Sequence, residues 1–540
     1  MQRAFYAVAL LALACLLVRA ARTGLAGDYV DPVSRITSQD EALYASSAIS
    51  MAQDGDWLTP KFMGRLALYK PPLLIWAAAI SARVLGVSRL ALRLPIALLC
   101  SLAVGLVFLF AAELSSWQAG ICAAALLASN RLWHVLGGSC MTDGLLVACY
   151  IAAMYFLFTD PWLQSKASLW GFSAAVAAAI LTKSIAGILP LGVLGLYWLA
   201  APRKYKPPFL RVCLAGVLAL ALASPWFLYQ LAAHGRWFQA EHIGVEILGY
   251  GAGAPPQTSH ENHALFYLMR LALIDPVLLA VTVVGLPAFV GALRKRSPEA
   301  TLLLCWILIV LASVSVWEYR NVAYLLPLLP ALAILGASYG PFSTMRPEWW
   351  MLGLVAAAFV LKAGAPTSPA GISFAAGTVQ PVAPLVSSYC ANQRGNELIL
   401  AGMDDDLYAS TLPLPRLRYA LIQAPAVDEH YAMDFASMGI VVTAAQFNDL
   451  PRWEPAFRLR LHQWGIDSAK PIGTLIVARS LEELKTVVDA HPDSDFLMPN
   501  RYRAAAASSS HVRVDAAPDH FFLFSRNSLP APPPRWSCGL

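Results

Sequence analysis

Charge is what this chain has least of. Of its 540 residues only 13% are Asp, Glu, Lys or Arg, against about 25% in ordinary soluble domains. Hydrophobic residues make up 58%, so a single water-soluble globule is excluded. Also missing are several short signatures of soluble chemistry: there is no CxxC, HExxH, Walker loop or GxSxG, and no internal repeat of solenoid period. No basic stretch interleaved with aromatics offers a surface for nucleic acid, and a net charge of +6 is unremarkable for a membrane protein of this size. Seven of the nine cysteines (15, 100, 122, 140, 149, 213, 305) fall in or beside apolar runs, where the thiol serves as a small hydrophobe. Cys390 and Cys538 lie elsewhere, and as two lone cysteines they are equally compatible with one disulfide or two free thiols.

What the chain does have is a series of apolar runs from residue 4 to about residue 363. Each is near the ~20 residues that carry a helix across ~30 Å of hydrocarbon. Candidate spans are 4–21, 91–112, 117–133, 141–158, 168–182, 184–200, 210–231, 264–292, 300–316, 322–338 and 348–363. The expected fold is an α-helical polytopic membrane protein of roughly 11–13 transmembrane helices. Residues 1–20 read as an uncleaved first span rather than a signal peptide, because no small-residue cleavage site precedes the next charges. The short stretch 71–86 reads as re-entrant, or as paired with another break.

Basic residues cluster at 203–211 (RKYKPPFLR) and 294–296 (RKR), which makes both loops cytoplasmic. Counting outward, the loop 22–70 and the segments around 134–143, 182–183, 232–263 and 317–321 emerge on the opposite face. Beyond residue 363 the composition turns mixed, charged and Pro-rich, so 1–363 reads as a membrane domain and 364–540 as a soluble external one. In a Gram-negative bacterium the chain would sit in the inner membrane with that domain in the periplasm. There, NELILAG, GIVVTAA and GTLIVAR read as short buried strands and SLEELKTVVDAHP as an amphipathic helix, giving an α/β or α+β module. Residues 502–517 and the PAPPP tail read as loop.

The scarce charges gather on the external side. Residues 38–76 hold Asp40, Glu41, Lys61, Arg65 and Lys70 beside a membrane surface, where charge is costly unless solvated or paired. On a helix starting near Ser38, Asp40, Tyr44 and Ala48 share one face while Glu41 points aside. Ser38 and Glu41 have the spacing of a capping box, the structural explanation for Glu41. Asp143 in SCMTDGLL, Lys183 in AILTKSIAGILP, Glu241 and His242 in the 232–263 loop, and Arg320 in WEYRN fall on the same side. Each has an ordinary explanation, such as a helix cap, a snorkelling cation or a solvated loop. Together they suit one chemistry: Lys70, Lys183 and Arg320 holding a phosphate, and Asp40 taking a proton from an acceptor. A lipid-linked phosphosugar presents that combination. Because the leaving group is a phosphate, no metal cofactor is required, although Asp40 and Asp143 offer two ligands for a divalent cation.

The ordered set DEALY, GDWLTP, YKPPLLIW, ALRLPIALL, TDG, LTKSIAGILP, SPWF, AEH and RNVAYLLPLLPAL resembles the polytopic glycosyltransferases of the GT-C superfamily over residues 1–340. The nearest groups are the lipid A aminoarabinose transferases and the protein O-mannosyltransferase-like families. The resemblance implies catalytic roles for Asp40, Glu41 and Asp143. It implies substrate-binding roles for Tyr44, Lys70, Lys183, Glu241, His242, Arg320 and Tyr324. It implies a polyprenyl-phosphate sugar donor, a lipid A, glycan or protein acceptor, and membrane lipid as surroundings. Two positions depart from the family pattern: Tyr69 stands where an acid precedes Lys70, and LTKSI replaces LTKGP. A transporter or flippase of lipid-linked sugars is the alternative reading, and it predicts related halves with polar groups at mid-membrane. A membrane scaffold with an external binding domain is a third.

Overall fold

The computed structural model describes residues 39–62, 65–239, 242–243, 246–247, 266–316 and 321–341. In the C-terminal part it describes 398–401, 417–422, 475–478, 481–492, 495–499, 511–516 and 521–526. The expected spans 4–21 and 348–363, the expected strand GIVVTAA, and Ser38, Cys390 and Cys538 lie outside the described residues.

Apolar runs become helices here because a helix satisfies its own backbone polar groups where water cannot. Helix α1 (Gln39–Asp54) is followed by a short antiparallel hairpin, β1 (Lys61–Phe62) and β2 (Arg65–Leu66), and by α2 (Leu73–Leu85). Then come α3 (Arg89–Leu114), α4 (Trp117–Ser129), α5 (Arg131–Leu136), α6 (Thr142–Thr159) and α7 (Lys166–Lys183). The set continues with α8 (Leu189–Ala200), α9 (Phe209–Phe238), α10 (Phe266–Ile274), α11 (Pro276–Arg294), α12 (Pro298–Val316) and α13 (Leu329–Tyr339). Ser88, Ser116 and Ser165 cap α3, α4 and α7 by accepting from the backbone N–H of Ala91, Ala119 and Ser168. Among the described residues, seven helical stretches are long and apolar enough to cross a membrane.

One of the seven, Lys166–Ala200, is 35 residues long and is a hairpin rather than a rod. A 3-10 turn, Ser184–Ile188, joins α7 to α8, and Ser184 enters it with φ 42°. The chain folds back so closely that a Cβ on Gly187 would stand 2.3 Å from the carbonyl carbon of Ala179. Only glycine fits there. The two legs correspond to the separate spans expected at 168–182 and 184–200, with Lys183 at the tip.

Two other expected spans are broken. The run 117–133 stops at Asn130, which is buried and caps α5 by accepting from Trp133 N–H. The run 264–292 stops at Asp275, which caps α11 by accepting from Leu278 N–H, with Pro276 at the first helical position. The two breaks meet, since Asn130 Nδ2 donates to Asp275 Oδ2 at 2.8 Å. The two interruptions therefore satisfy each other through one buried polar contact.

Helix α2 has 13 residues, about 20 Å at 1.5 Å per residue, too short to cross alone. It packs between α1 and α3. One apolar cluster runs from Tyr44 in α1 to Ala337 in α13. Helices α9 and α11 turn Val217, Leu228, Val283 and Val284 outward, as lipid-facing helices do.

The C-terminal part forms a mixed six-stranded sheet. Its strands are β3 (Leu398–Ala401), β4 (Leu417–Ile422), β5 (Leu475–Ala478), β6 (Asp495–Pro499), β7 (His511–Ala516) and β8 (Phe521–Arg526), in the order β5-β4-β3-β6-β8-β7. The first four are parallel and the last two antiparallel. Helix α14 (Leu481–Ala490) follows β5. NELILAG, GTLIVAR and the helix fall where expected. Residues 511–516 do not: expected in a loop, they form an edge strand whose Val512 and Val514 alternate with Arg513 and Asp515.

Candidate active site

Helix α1 opens with two acids in its first turn, Asp40 and Glu41, where a helix N-terminus favours negative charge. Successive helical side chains diverge by about 100°, and these two part company. Asp40 is exposed, whereas Glu41 is 1% exposed. Arg93 of α3 donates from Nε and Nη2 to the two Glu41 oxygens at 2.7 and 2.8 Å, and Cys140 N–H donates to Oε1 at 2.7 Å. A buried carboxylate held by a two-pronged guanidinium and a backbone amide is a brace. It ties α1 to α3 and to the segment that leads into α6. Both oxygens of Glu41, expected among the catalytic residues, face the bundle interior. Tyr44, expected beside Asp40, is packed into the apolar core at 3% exposure.

Asp143 stands in the first turn of α6 and is buried. The TDG sequence has a steric cause: a Cβ on Gly144 would lie 2.7 Å from the Leu136 carbonyl oxygen and 2.8 Å from Gly137 Cα. With glycine there, α6 starts directly against the end of α5. From the tip of the α7 hairpin, Lys183 Nζ reaches Asp143 Oδ1 at 2.8 Å. The same ammonium lies 5.3 Å from the ring centroid of Tyr324. Tyr324 belongs to a 3-10 segment, Val322–Leu328, capped by Asn321 accepting from Ala323 N–H.

Lys70 joins this group from the loop after β2. It is mostly buried and forms an ion pair with Glu246. Burial, and then the charge of Lys183, push its ammonium down to about 7, while Asp40 and Asp143 pull the other way. Asp40, Asp143 and Lys183, from three other segments, thus each act on the Lys70 ammonium, and Lys183 also pairs with Asp143. Arg93 reaches the same end of the bundle through Glu41. Helix α2 lies between Lys70 and Arg93, so it begins and ends on the site face and does not cross. Chain order through α6–α9 and α11 then puts Arg203–Tyr205 and Arg294–Arg296 at the opposite end.

His242 holds two of these segments together. Its Nδ1 is 3.0 Å from the Leu68 carbonyl oxygen and its Nε2 is 2.7 Å from Ser184 Oγ. A carbonyl only accepts, so Nδ1 carries the proton. Burial lowers the imidazole to about 4, backbone bonds to Leu68 and Tyr69 opposing and Lys70 adding to it. The ring is neutral near pH 7 and Nε2 accepts from the Ser184 hydroxyl. It stacks on Phe238 at 4.9 Å and meets Phe227 edge-on at 5.5 Å. Both ring nitrogens of His242, expected among the substrate-binding residues, join the chain before Lys70 to the residue after Lys183.

Glu241, Arg320 and the Arg65 side chain lie outside the described residues. Lys61 pairs with Asp54 and Asp56 at 3.8 and 3.2 Å in the loop after α1. Three contributors were not foreseen: Arg93, Ser184 and Glu246. Arg93 had a legible signal, since a lone arginine inside ALRLPIALL demands a buried partner. Glu246 follows His242 by four residues, the spacing of one helical face. Ser184 carried none. Among the described residues no three of His, Cys, Asp and Glu gather as a metal cage. Two ammonium groups flanked by acids suit a phosphate, and an exposed carboxylate beside them suits removal of a proton.

The family described as dolichyl-phosphate-mannose-protein mannosyltransferase matches residues 69–229, the stretch that carries Lys70, Asp143 and Lys183. The crystal structure of ArnT from Cupriavidus metallidurans bound to undecaprenyl phosphate has the same fold, with a TM-score of 0.68 at 17% identity, over 97% of this chain and 99% of that one. Its apo state gives 0.63 at 18% identity, over 96% and 97%. Over nearly its whole length the chain therefore has the fold of these two structures. An undecaprenyl phosphate-alpha-4-amino-4-deoxy-L-arabinose arabinosyl transferase of Pectobacterium carotovorum subsp. carotovorum (strain PC1) is 28% identical over 314 residues, 56% of this chain and 54% of that protein. A protein of the same name from Aeromonas salmonicida (strain A449) is 29% identical over 339 residues, 59% of each. The chain thus spans little more than half the length of these relatives. Asp40 precedes the matched stretch and is fastened to it by the Glu41–Arg93 pair.

Proposed function

We propose that this chain is an integral membrane glycosyltransferase of the GT-C type, which moves a sugar from a polyprenyl-phosphate carrier to an acceptor at the external face of the membrane. The observation that carries the reading is the convergence of Asp40, Lys70, Asp143 and Lys183 at one end of the bundle. Such a site lets a lipid tail stay in the bilayer while its phosphate meets two ammonium groups at the aqueous edge. An acceptor hydroxyl or amine attacks the anomeric carbon and the carbon–oxygen bond to phosphate breaks. The electron pair leaves on the phosphate oxygen, where Lys70 and Lys183 stabilise the charge. The proton goes to Asp40, since Asp143 is engaged with Lys183. A single displacement from the face opposite the phosphate inverts the anomeric centre.

The relatives named above as undecaprenyl phosphate-aminoarabinose transferases support a polyprenyl-phosphate donor. The acceptor is lipid A, another cell-envelope glycan or a protein, the classes that the sequence resemblance implies. The basic residues at 203–206 and 294–296 lie at the end of the bundle remote from the site, which supports a cytoplasmic position for them. By that rule the site, and the C-terminal domain from residue 364, face the periplasm from a bacterial inner membrane. Spheroplasts loaded with a panel of undecaprenyl-phosphate sugars, with acceptor supplied only outside, test both points. Wild type should label the acceptor, and Asp40→Asn should lose about 10²–10⁴ of that rate. Transfer at the wild-type rate by Asp40→Asn would remove Asp40 as base, and labelling confined to inverted vesicles would reverse the orientation.

A further inference from the structure

Each lysine of the site has a carboxylate partner, but the two partners are held differently. Asp143 is fixed: it stands in the first turn of α6, whose start is locked against α5 by the close approach at Gly144. Glu246 is not part of such a packed start. It lies on the far side of His242, in a short segment whose described residues, 242–243 and 246–247, have π-helical backbone, a geometry met chiefly at functional positions. His242 pins that segment to Leu68, two residues before Lys70, and to Ser184, next to Lys183. The segment therefore spans both cations, and Glu246 is delivered to Lys70 from its side, with 16% of its side chain exposed.

We infer that Glu246 is a positioning and exchange residue of the phosphate site: its carboxylate stands where an oxygen of the lipid phosphate binds, and the donor enters by displacing it from Lys70. This rests on the glycosyltransferase reading and deepens it. The exchange keeps charge balanced, because a sugar phosphodiester carries one negative charge, the same as the carboxylate that it replaces. Without that carboxylate, Lys70 and Lys183 would face each other with less compensation, the repulsion already felt by Lys70. After transfer the lipid keeps a phosphate monoester, which holds the two ammonium groups more tightly than the diester did. Glu246 then competes for Lys70 and helps the spent carrier to leave.

The test is binding of undecaprenyl phosphate to the purified full chain, with donor turnover measured beside it. Glu246→Gln should bind undecaprenyl phosphate roughly fivefold more tightly, the scale of a partly exposed ion pair. Its kcat and its KM for donor should fall together, as product release slows. Glu246→Ala should move in the same direction and Glu246→Asp should stay near wild type, which separates loss of charge from loss of folding. In a Lys70→Ala background, Glu246→Gln should change nothing. Unchanged or weaker binding by folded Glu246→Gln, or the same tightening without Lys70, overturns the inference while leaving the transferase reading intact. A wild-type chain that neither binds undecaprenyl phosphate nor transfers sugar would sink both.

Discussion

Two carboxylate–cation pairs lie at the same end of this bundle and are built for opposite purposes. Glu41 and Arg93 meet through two bonds at 2.7 and 2.8 Å, with side-chain exposures of 1% and 3%. Asp143 and Lys183 meet through one bond at 2.8 Å, with exposures of 9% and 17%. The first pair is closed and fully satisfied, and it serves as framework. The second keeps donors free and faces the region shared with Lys70 and Tyr324. In a chain this poor in charge, burial separates the ions that hold the protein together from those that the proposed transfer would use.

The largest effect should come from opening the closed pair. Arg93→Ala leaves Glu41 buried and uncompensated, and should cost about 3–5 kcal/mol of stability. Thermal unfolding in detergent should show a much earlier transition, and an unshifted one would make the brace incidental. Opening the second pair should do something else. Lys183→Ala should unfold near the wild-type temperature yet lose about 10–100-fold in affinity for undecaprenyl phosphate, the scale of hydrogen bonds to a charged group. Equal affinity would place the phosphate elsewhere. The smallest effect concerns Lys70, whose ammonium is present below about 7 and lost above it. Undecaprenyl phosphate should bind a few-fold more weakly at pH 8.5 than at pH 6, and Lys70→Arg, protonated throughout, should flatten that slope. A slope that survives the arginine would assign the titration to another group.

Much of this site is written in the sequence because its charges have few neighbours to hide among. Asp40, Lys70, Asp143 and Lys183 each interrupt or border an apolar run, and the hydrophobic count puts them on one face. What each side chain does was less legible. Glu41 and Asp40 are adjacent letters, and only the position of Arg93, 52 residues on, decides that one is framework and the other exposed. His242 reads as a ligand-binding residue, and nothing in the sequence tells that its two nitrogens meet Leu68 and Ser184. The breaks at Asn130 and Asp275 were written locally, as a cap followed in one case by proline, but hydropathy averaged over them. The strand at 511–516 was masked by the alanine- and serine-rich stretch before it.

The Glu41 brace also bears on how the protein is made. Cys140, whose amide completes the contact, is synthesised 99 residues after Glu41, a delay of roughly 5–20 s at ordinary translation speeds. During that interval Asp40 and Glu41 wait at the water boundary while several hydrophobic segments are threaded into the bilayer. Reactive geometry is therefore assembled late, and a polypeptide released early would carry its acidic pair without the scaffold that gives one of them a task.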